Sequence, residues 1–161
     1  MRKIIVQEFI SLDGVMQAPG GPEEDPSSGF KYGGWTAPFF HEVDEQAQKF
    51  MQKHLEPTDL LLGRKTYQIF ADYWPRHSEG WPGINEVTKY VVSESLTELS
   101  WVNSKLINGD VVAHIKELKA ENGSILKVFG SGTMTQTLFK HDLVDELLLM
   151  IRAVLNVFKI S

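Results

Sequence analysis

The sequence predicts an α/β fold built around a largely parallel sheet, and three observations carry that prediction. Short apolar runs alternate with amphipathic stretches of helical spacing along the chain. Leu60-Leu61-Leu62 is apolar at consecutive positions, as expected of a strand covered on both faces. Two such runs stop at glycine and turn at once into a helical pattern, at Gly63-Arg64-Lys65-Thr66 and at Gly130-Ser131-Gly132-Thr133. Parallel strands need crossover helices, so the expected architecture is an α/β sandwich with a largely parallel central sheet.

The elements follow in order. Lys3 to Ile10, rich in Ile, Val and Phe, reads as a strand that ends at Ser11-Leu12-Asp13-Gly14. Gln17 to Gly34 is crowded with Gly, Pro, Asp and Ser, and a loop of that length is expected to be functional or mobile. Phe40, Val43, Ala47, Phe50, Met51 and Leu55 recur at helical spacing, predicting an amphipathic helix of about four turns. Thr58 to Leu62 is the next strand, and a helix should start near Arg64 and break before Pro75. A Trp/Pro/Gly loop runs through Gly83, then Lys89 to Ser93 forms a strand and Lys105 to Ile107 a short one. Asp110 is placed to cap a helix that runs to about Glu121 and closes at Asn122-Gly123. Ile125 to Phe129 is a strand, Thr133 to Lys140 a helix, and Leu147 to Val154 a last apolar strand.

Composition narrows the function. At 161 residues the chain is most simply one domain, 1–161. A net charge of -5 with no basic stripe argues against a nucleic-acid binder. The absence of cysteine excludes disulfides and thiol catalysis and fits a reducing compartment. The apolar run after Arg2-Lys3 is short and meets Glu8, so neither a signal peptide nor a membrane span is expected, and the cytoplasm is the expected location. Five histidines are scattered without HxxxH or HExxH spacing, so no metal site is expected, and no GxSxG elbow marks a serine hydrolase.

The two glycine corners carry the chemistry. A strand that stops at glycine and enters a helix leaves backbone N–H groups and the positive helix end facing outward, where they can hold phosphate. At Gly130-Ser131-Gly132-Thr133 the glycines let backbone approach a ligand, and Ser131 and Thr133 add hydroxyls; a simple capped turn would read the same way. Arg64 and Lys65 place cations at a helix start, where they oppose the helix dipole unless an anion meets them. Two solvated surface charges are the plainer alternative. Asp13 could orient a polar substrate or merely close an Asx-turn with Gly14. Trp35, Tyr73, Trp74 and Trp81 fall in or beside loops, where they could wall a flat ligand or form a small core of their own. Glu42, Asp44 and Glu45 in the first helix are expected on its solvent face.

In sequence order, Ser11-Leu12-Asp13-Gly14, Gly63-Arg64-Lys65-Thr66-Tyr67, Lys89-Tyr90-Val91-Val92-Ser93, Phe129-Gly130-Ser131-Gly132-Thr133 and Leu143-Val144-Asp145-Glu146-Leu147 form a series. In this series the chain resembles the dihydrofolate reductase-like superfamily over about residues 3 to 151. It is most similar to the branch of the riboflavin-biosynthesis reductase (the RibD C-terminal domain) and its stand-alone relatives. The resemblance implies a three-layer α/β/α sandwich whose mixed, mainly parallel sheet of about eight strands is flanked by helices, with NADPH crossing the C-terminal ends of the parallel strands. Gly63, Arg64 and Thr66 would meet cofactor phosphates, Ser93 the adenosine 2′-phosphate or ribose, and Gly130, Ser131, Gly132 and Thr133 the pyrophosphate. Asp13 would be the substrate contact.

The implied activity is NADPH-dependent hydride transfer to a small heterocycle or carbonyl, as in reduction of 5-amino-6-(5-phosphoribosylamino)uracil. The alternative is a non-catalytic dinucleotide- or pterin-binding protein of the same fold. The helix acids lack the spacing of true dihydrofolate reductases, and no separate basic cluster awaits a substrate phosphate. The relatives' closing hairpin is replaced by Arg152-Ala153-Val154-Leu155-Asn156-Val157-Phe158-Lys159-Ile160-Ser161, which reads as a shortened, apolar end. An apolar edge of that kind predicts a homodimer.

Overall fold

The computed structural model describes residues 1–39 and 45–152. Six strands and four α-helices follow in chain order: β1 Ile4–Ser11, α1 Glu45–His54, β2 Asp59–Gly63, α2 Arg64–Tyr73, β3 Lys89–Val92, β4 Ser104–Ile107, α3 Val111–Ala120, β5 Leu126–Phe129, α4 Gly132–Lys140 and β6 Glu146–Arg152. The sequence-predicted strands and helices reappear within a residue or two wherever they are described. The first part of the predicted first helix and the C-terminal segment after Arg152 lie outside the described residues, and with them the question of the shortened hairpin.

The sheet order is β4-β3-β2-β5-β1-β6. β1 with β5, β5 with β2, β2 with β3 and β3 with β4 all pair parallel. The antiparallel member expected of a mixed sheet is not among these pairings, and six strands rather than about eight are seen among the described residues. By its contacts the chain forms two compact units. Among the described residues, one joins Met1–Gln7 to Leu55–Leu148 and the other comprises residues 8–39, 45–54 and 149–152.

In the first unit, alternation along each strand divides the core between the two sheet faces. Ile4, Val6, Leu61, Leu126 and Val128 point to one side, where Ile115 and Leu118 of α3 and Met134 and Leu138 of α4 cover them. Leu60, Leu62, Val91 and Phe129 point to the other side, against Tyr67 of α2 and the aromatic segment Trp81 to Trp101. Helices on both faces give the three layers. Leu60, Leu61 and Leu62 have no exposed surface, as their unbroken apolar run required.

The local signals are equally readable. Asp110 caps α3 by accepting the Ala113 N–H at 3.0 Å. Trp81 packs edge-on against Phe70, Trp74 and Phe129, so two of the loop aromatics build a small core instead of standing open to a ligand. Lys89 is fully buried, and its ammonium donates to the carbonyls of Ile84, Asn85 and Val87 at 3.0–3.1 Å while lying 4.4 Å from the Trp101 ring centre. Arg2, also buried, donates to the Ser124 carbonyl and pairs with Asp59.

In the second unit the long Gly/Pro-rich loop is built on itself. The Trp35 indole N–H donates to the Gln17 carbonyl at 2.9 Å, and the Gly34 N–H to the Ala18 carbonyl at 2.8 Å. Glu24 accepts the Gly20 and Gly21 amides; its burial raises the carboxyl above the ordinary 4.5, against the lowering pull of those two N–H groups. These bonds tie the loop to itself despite its composition.

Candidate functional site

Register brings the two glycine corners together. β2 and β5 are neighbours, with Leu60 opposite Lys127. Gly63 and Gly130 each lie three residues further on, so both strands leave the sheet at the same level. β3 flanks β2 on the other side, with Val92 opposite Gly63, so Ser93 follows one residue beyond that level. The C-terminal ends of three parallel strands therefore place Gly63, Ser93 and Gly130 along one rim, the usual ligand-binding edge of such sheets.

The corners touch. Ser131 Oγ accepts the Gly63 N–H at 2.8 Å and lies 3.0 Å from Thr66 Oγ1 and 3.2 Å from the Phe129 carbonyl. A Cβ on Gly63 would come within 3.0 Å of Ser131 Oγ, and one on Gly130 within 2.9 Å of Thr66 Oγ1. Gly130 also has φ +54°, the left-handed region in which glycine is least strained. Glycine at these two positions is thus set by the protein's own packing.

Gly132 is different. A Cβ there would meet nothing within 4 Å, and its backbone is not in the left-handed region. Among the described residues, nothing requires glycine at this place. Gly132 and Thr133 are placed at the start of α4, which has no side-chain cap and no acid in its first turn. The start of α2 is likewise without a side-chain cap or acid, in contrast to the Asp110-capped α3. Two uncapped helix starts side by side present amide donors and two positive dipole ends to an anion.

The remaining site residues are placed as follows. Arg64 is exposed on the first turn of α2, its guanidinium 3.2 Å from Gln68 Oε1. Thr66 stands behind it, engaged with Ser131. Ser93 is buried, and its hydroxyl accepts the Ser95 and Leu96 amides at 3.2 and 3.0 Å, so the side chain shapes its own loop. Asp13 belongs to the second unit and accepts the Ser11 hydroxyl in a tight turn that Gly14 closes through its N–H to the Ser11 carbonyl at 3.0 Å. The Asp13 carboxylate thus meets a hydroxyl rather than the Gly14 amide, in place of an Asx-turn. Glu45 of α1 is exposed and ion-pairs with Lys49; Glu42 and Asp44 lie outside the described residues.

Two features escaped the sequence reading. The Ser131 hydroxyl turns inward to the neighbouring corner instead of outward. The Tyr67 hydroxyl accepts the Trp101 N–H at 3.0 Å, tying α2 to the chain entering β4. Tyr67 on the buried side of its helix was a visible signal for a polar tip needing a partner. An open groove of about 340 Å³, lined by Tyr67, Gln68, Asp72, Leu96, Glu98 and Ser100 among others, includes none of the corner residues.

Parallel strands, helices on both faces and paired corners on one rim define an α/β protein whose candidate site lies at the C-terminal edge of its sheet. The sequence model of the RibD C-terminal domain family matches residues 2–155, and the chain belongs to that family. The uncharacterized protein YyaP of Bacillus subtilis (strain 168) is 24% identical over 95% of this chain and 76% of its own length. Among solved structures, a protein assigned to riboflavin biosynthesis from Shewanella sp. PV-4 is similar with a TM-score of 0.60 and 22% identity, over 95% of this chain and 78% of that one. Dihydrofolate reductase from Enterococcus faecalis, in complex with NADP(H) and RAB-propyl, gives 0.55 and 14% over 98% and 74%. Schistosoma mansoni dihydrofolate reductase gives 0.57 and 13% over 98% and 78%. At these identities the structural likenesses establish the fold. Among the described residues, no helix is long and apolar enough to cross a membrane.

Proposed function

We propose that the protein is an NADPH-dependent reductase that delivers hydride to a small heterocyclic or carbonyl substrate, of the kind reduced in riboflavin biosynthesis. The observation that carries this reading is the pair of uncapped helix starts joined at Ser131, with open space before Gly132. NADPH, when bound, supplies a hydride donor at its nicotinamide C4. Gly63, Arg64 and Thr66 would hold one phosphate-bearing end, and Gly130, Gly132 and Thr133 the pyrophosphate through backbone amides and a hydroxyl. Ser93 orders the loop beside the adenosine end. Asp13, held by Ser11, is the proposed substrate contact. The protein's contribution is alignment and exclusion of water around the reacting carbon.

Arg64 supplies the discriminating test. Arg64→Ala should weaken NADPH by about tenfold or more and NADH much less if the guanidinium meets the additional phosphate. Fluorescence titration of both cofactors measures this, and equal losses would move Arg64 to the pyrophosphate. A non-catalytic binder is the second reading, favoured by the surface position of Glu45, the described acid of α1, which pairs with Lys49. Tight NADPH binding with no substrate-dependent loss of its absorbance in single turnover would support that reading over the reductase.

We also propose a homodimer. In the described sheet β6 is an edge strand, and Leu147, Leu149 and Ile151 on it are 47%, 43% and 61% exposed. Alternate apolar residues along an edge invite pairing with a second copy. Light scattering at micromolar concentration should give twice the chain mass of 18.2 kDa; the single mass rejects the dimer.

A further inference from the structure

We propose that Ser131 is a positioning residue that locks the two glycine corners at a fixed separation, so that the site favours a ligand able to span both. This rests on the dinucleotide reading above and adds a reason for selecting a pyrophosphate-linked dinucleotide over a single nucleotide.

Ser131 sits at φ 60° and ψ 45°, immediately after Gly130 at φ +54°. A residue with a side chain is strained in that region, and glycine would relieve the strain. What serine supplies at this position is its hydroxyl. The oxygen accepts the Gly63 N–H across the gap between corners, and its proton lies within reach of Thr66 Oγ1 and the Phe129 carbonyl. The hydroxyl is thus committed to the protein and is not a phosphate donor. The neighbours leave room for it: Gly63 and Gly130 are the two positions where a Cβ would strike Ser131 or its partner Thr66.

The connection joins residues 68 positions apart through one side chain. It ties the N-cap of α2 to the N-cap of α4, so the two helix starts cannot separate without breaking it. A ligand that engages both ends gains from a span already set, whereas a ligand held at one end gains nothing. Selectivity by span follows.

The test compares two probes on the full chain: NADP, which can reach both corners, and adenosine 2′-phosphate, which lacks every pyrophosphate oxygen and can reach only the Arg64 corner. Ser131→Gly removes the clip and relieves the backbone, so the variant should fold. It should lose about tenfold in affinity for NADP and less than about twofold for adenosine 2′-phosphate. Ser131→Ala, which removes the hydroxyl that accepts the Gly63 N–H and leaves Thr66 in place, should shift the affinity ratio in the same direction. Equal losses for both probes would mean that Ser131 merely supports the local fold, and an unchanged NADP affinity would remove its role; either result overturns the proposal. A wild-type chain that binds neither probe overturns the dinucleotide reading, and the clip proposal with it.

Discussion

Gly132→Leu should reduce NADPH affinity by about a hundredfold or more while leaving the melting temperature within about 2 °C of the wild type. The second half of that expectation is what makes the substitution informative. Gly132 stands at the first position of α4, outside the left-handed region, and a Cβ added there would have no atom within 4 Å. A leucine side chain therefore starts out into open space in the ligand-free chain, and replacing glycine in a helix is if anything mildly favourable. In the bound state it would occupy the space where a pyrophosphate must approach the amides at the helix start, and close approach is the one demand that explains glycine at this position. Gly130→Ala provides the contrast, because its Cβ would meet Thr66 Oγ1 at 2.9 Å in a left-handed backbone. That variant should lose stability and binding together. Titration against thermal melting separates the two cases. Wild-type affinity in Gly132→Leu would remove this corner from the site.

Lys89→Met should lower the melting temperature by about 6–12 °C, at about 2–4 °C per kcal/mol for a chain of this size. The ammonium supplies donors to three backbone carbonyls, those of Ile84, Asn85 and Val87. Methionine fills the path of the apolar stem but leaves these acceptors without that donor. An orphaned buried polar group costs about 1–3 kcal/mol. The Ile84 bond is buried and the other two partly so, which places the total near about 3 kcal/mol. Relief from burying a charge offsets part of the loss, although the cation over the Trp101 face is itself stabilised there.

The same residue predicts a pH dependence. Burial lowers the Lys89 ammonium from the ordinary 10.5 to about 8, against the raising effects of Glu86 and Asp59. Between those values the unfolded chain holds a proton that the folded chain has released. The group's contribution to stability therefore rises with pH across that window and is lost as pH falls through about 8. The melting-temperature gap between wild type and Lys89→Met should widen over the alkaline range. A constant gap would mean that the carbonyl cage retains the proton as firmly as water does.

Much of the candidate site's backbone was legible before the fold. Glycine followed by a helical pattern after an apolar run was enough to mark Gly63 and Gly130 as strand ends, because a strand-to-helix turn needs a permissive backbone and leaves amides exposed. Arg64 at a helix start was legible as a local electrostatic conflict awaiting an anion. Asp110 was legible as a cap. Ser93 and Ser131 were placed correctly along the chain, but the direction of their hydroxyls was not readable. Ser93 turns to the Ser95 and Leu96 amides, and Ser131 to a residue 68 positions away. A hydroxyl at a turn satisfies either kind of partner equally well in one dimension.

The sequence alone therefore determined the elements, their alternation and the two corners, because propensity, capping and hydrophobic period act over a few residues. The tertiary structure decided which groups meet: Leu60 with Lys127, which levels Gly63 with Gly130; Ser131 with Gly63; and Lys89 with its three carbonyls. Those pairings arise from strand register and close packing, which sum over the whole core and leave no trace in any short window of sequence.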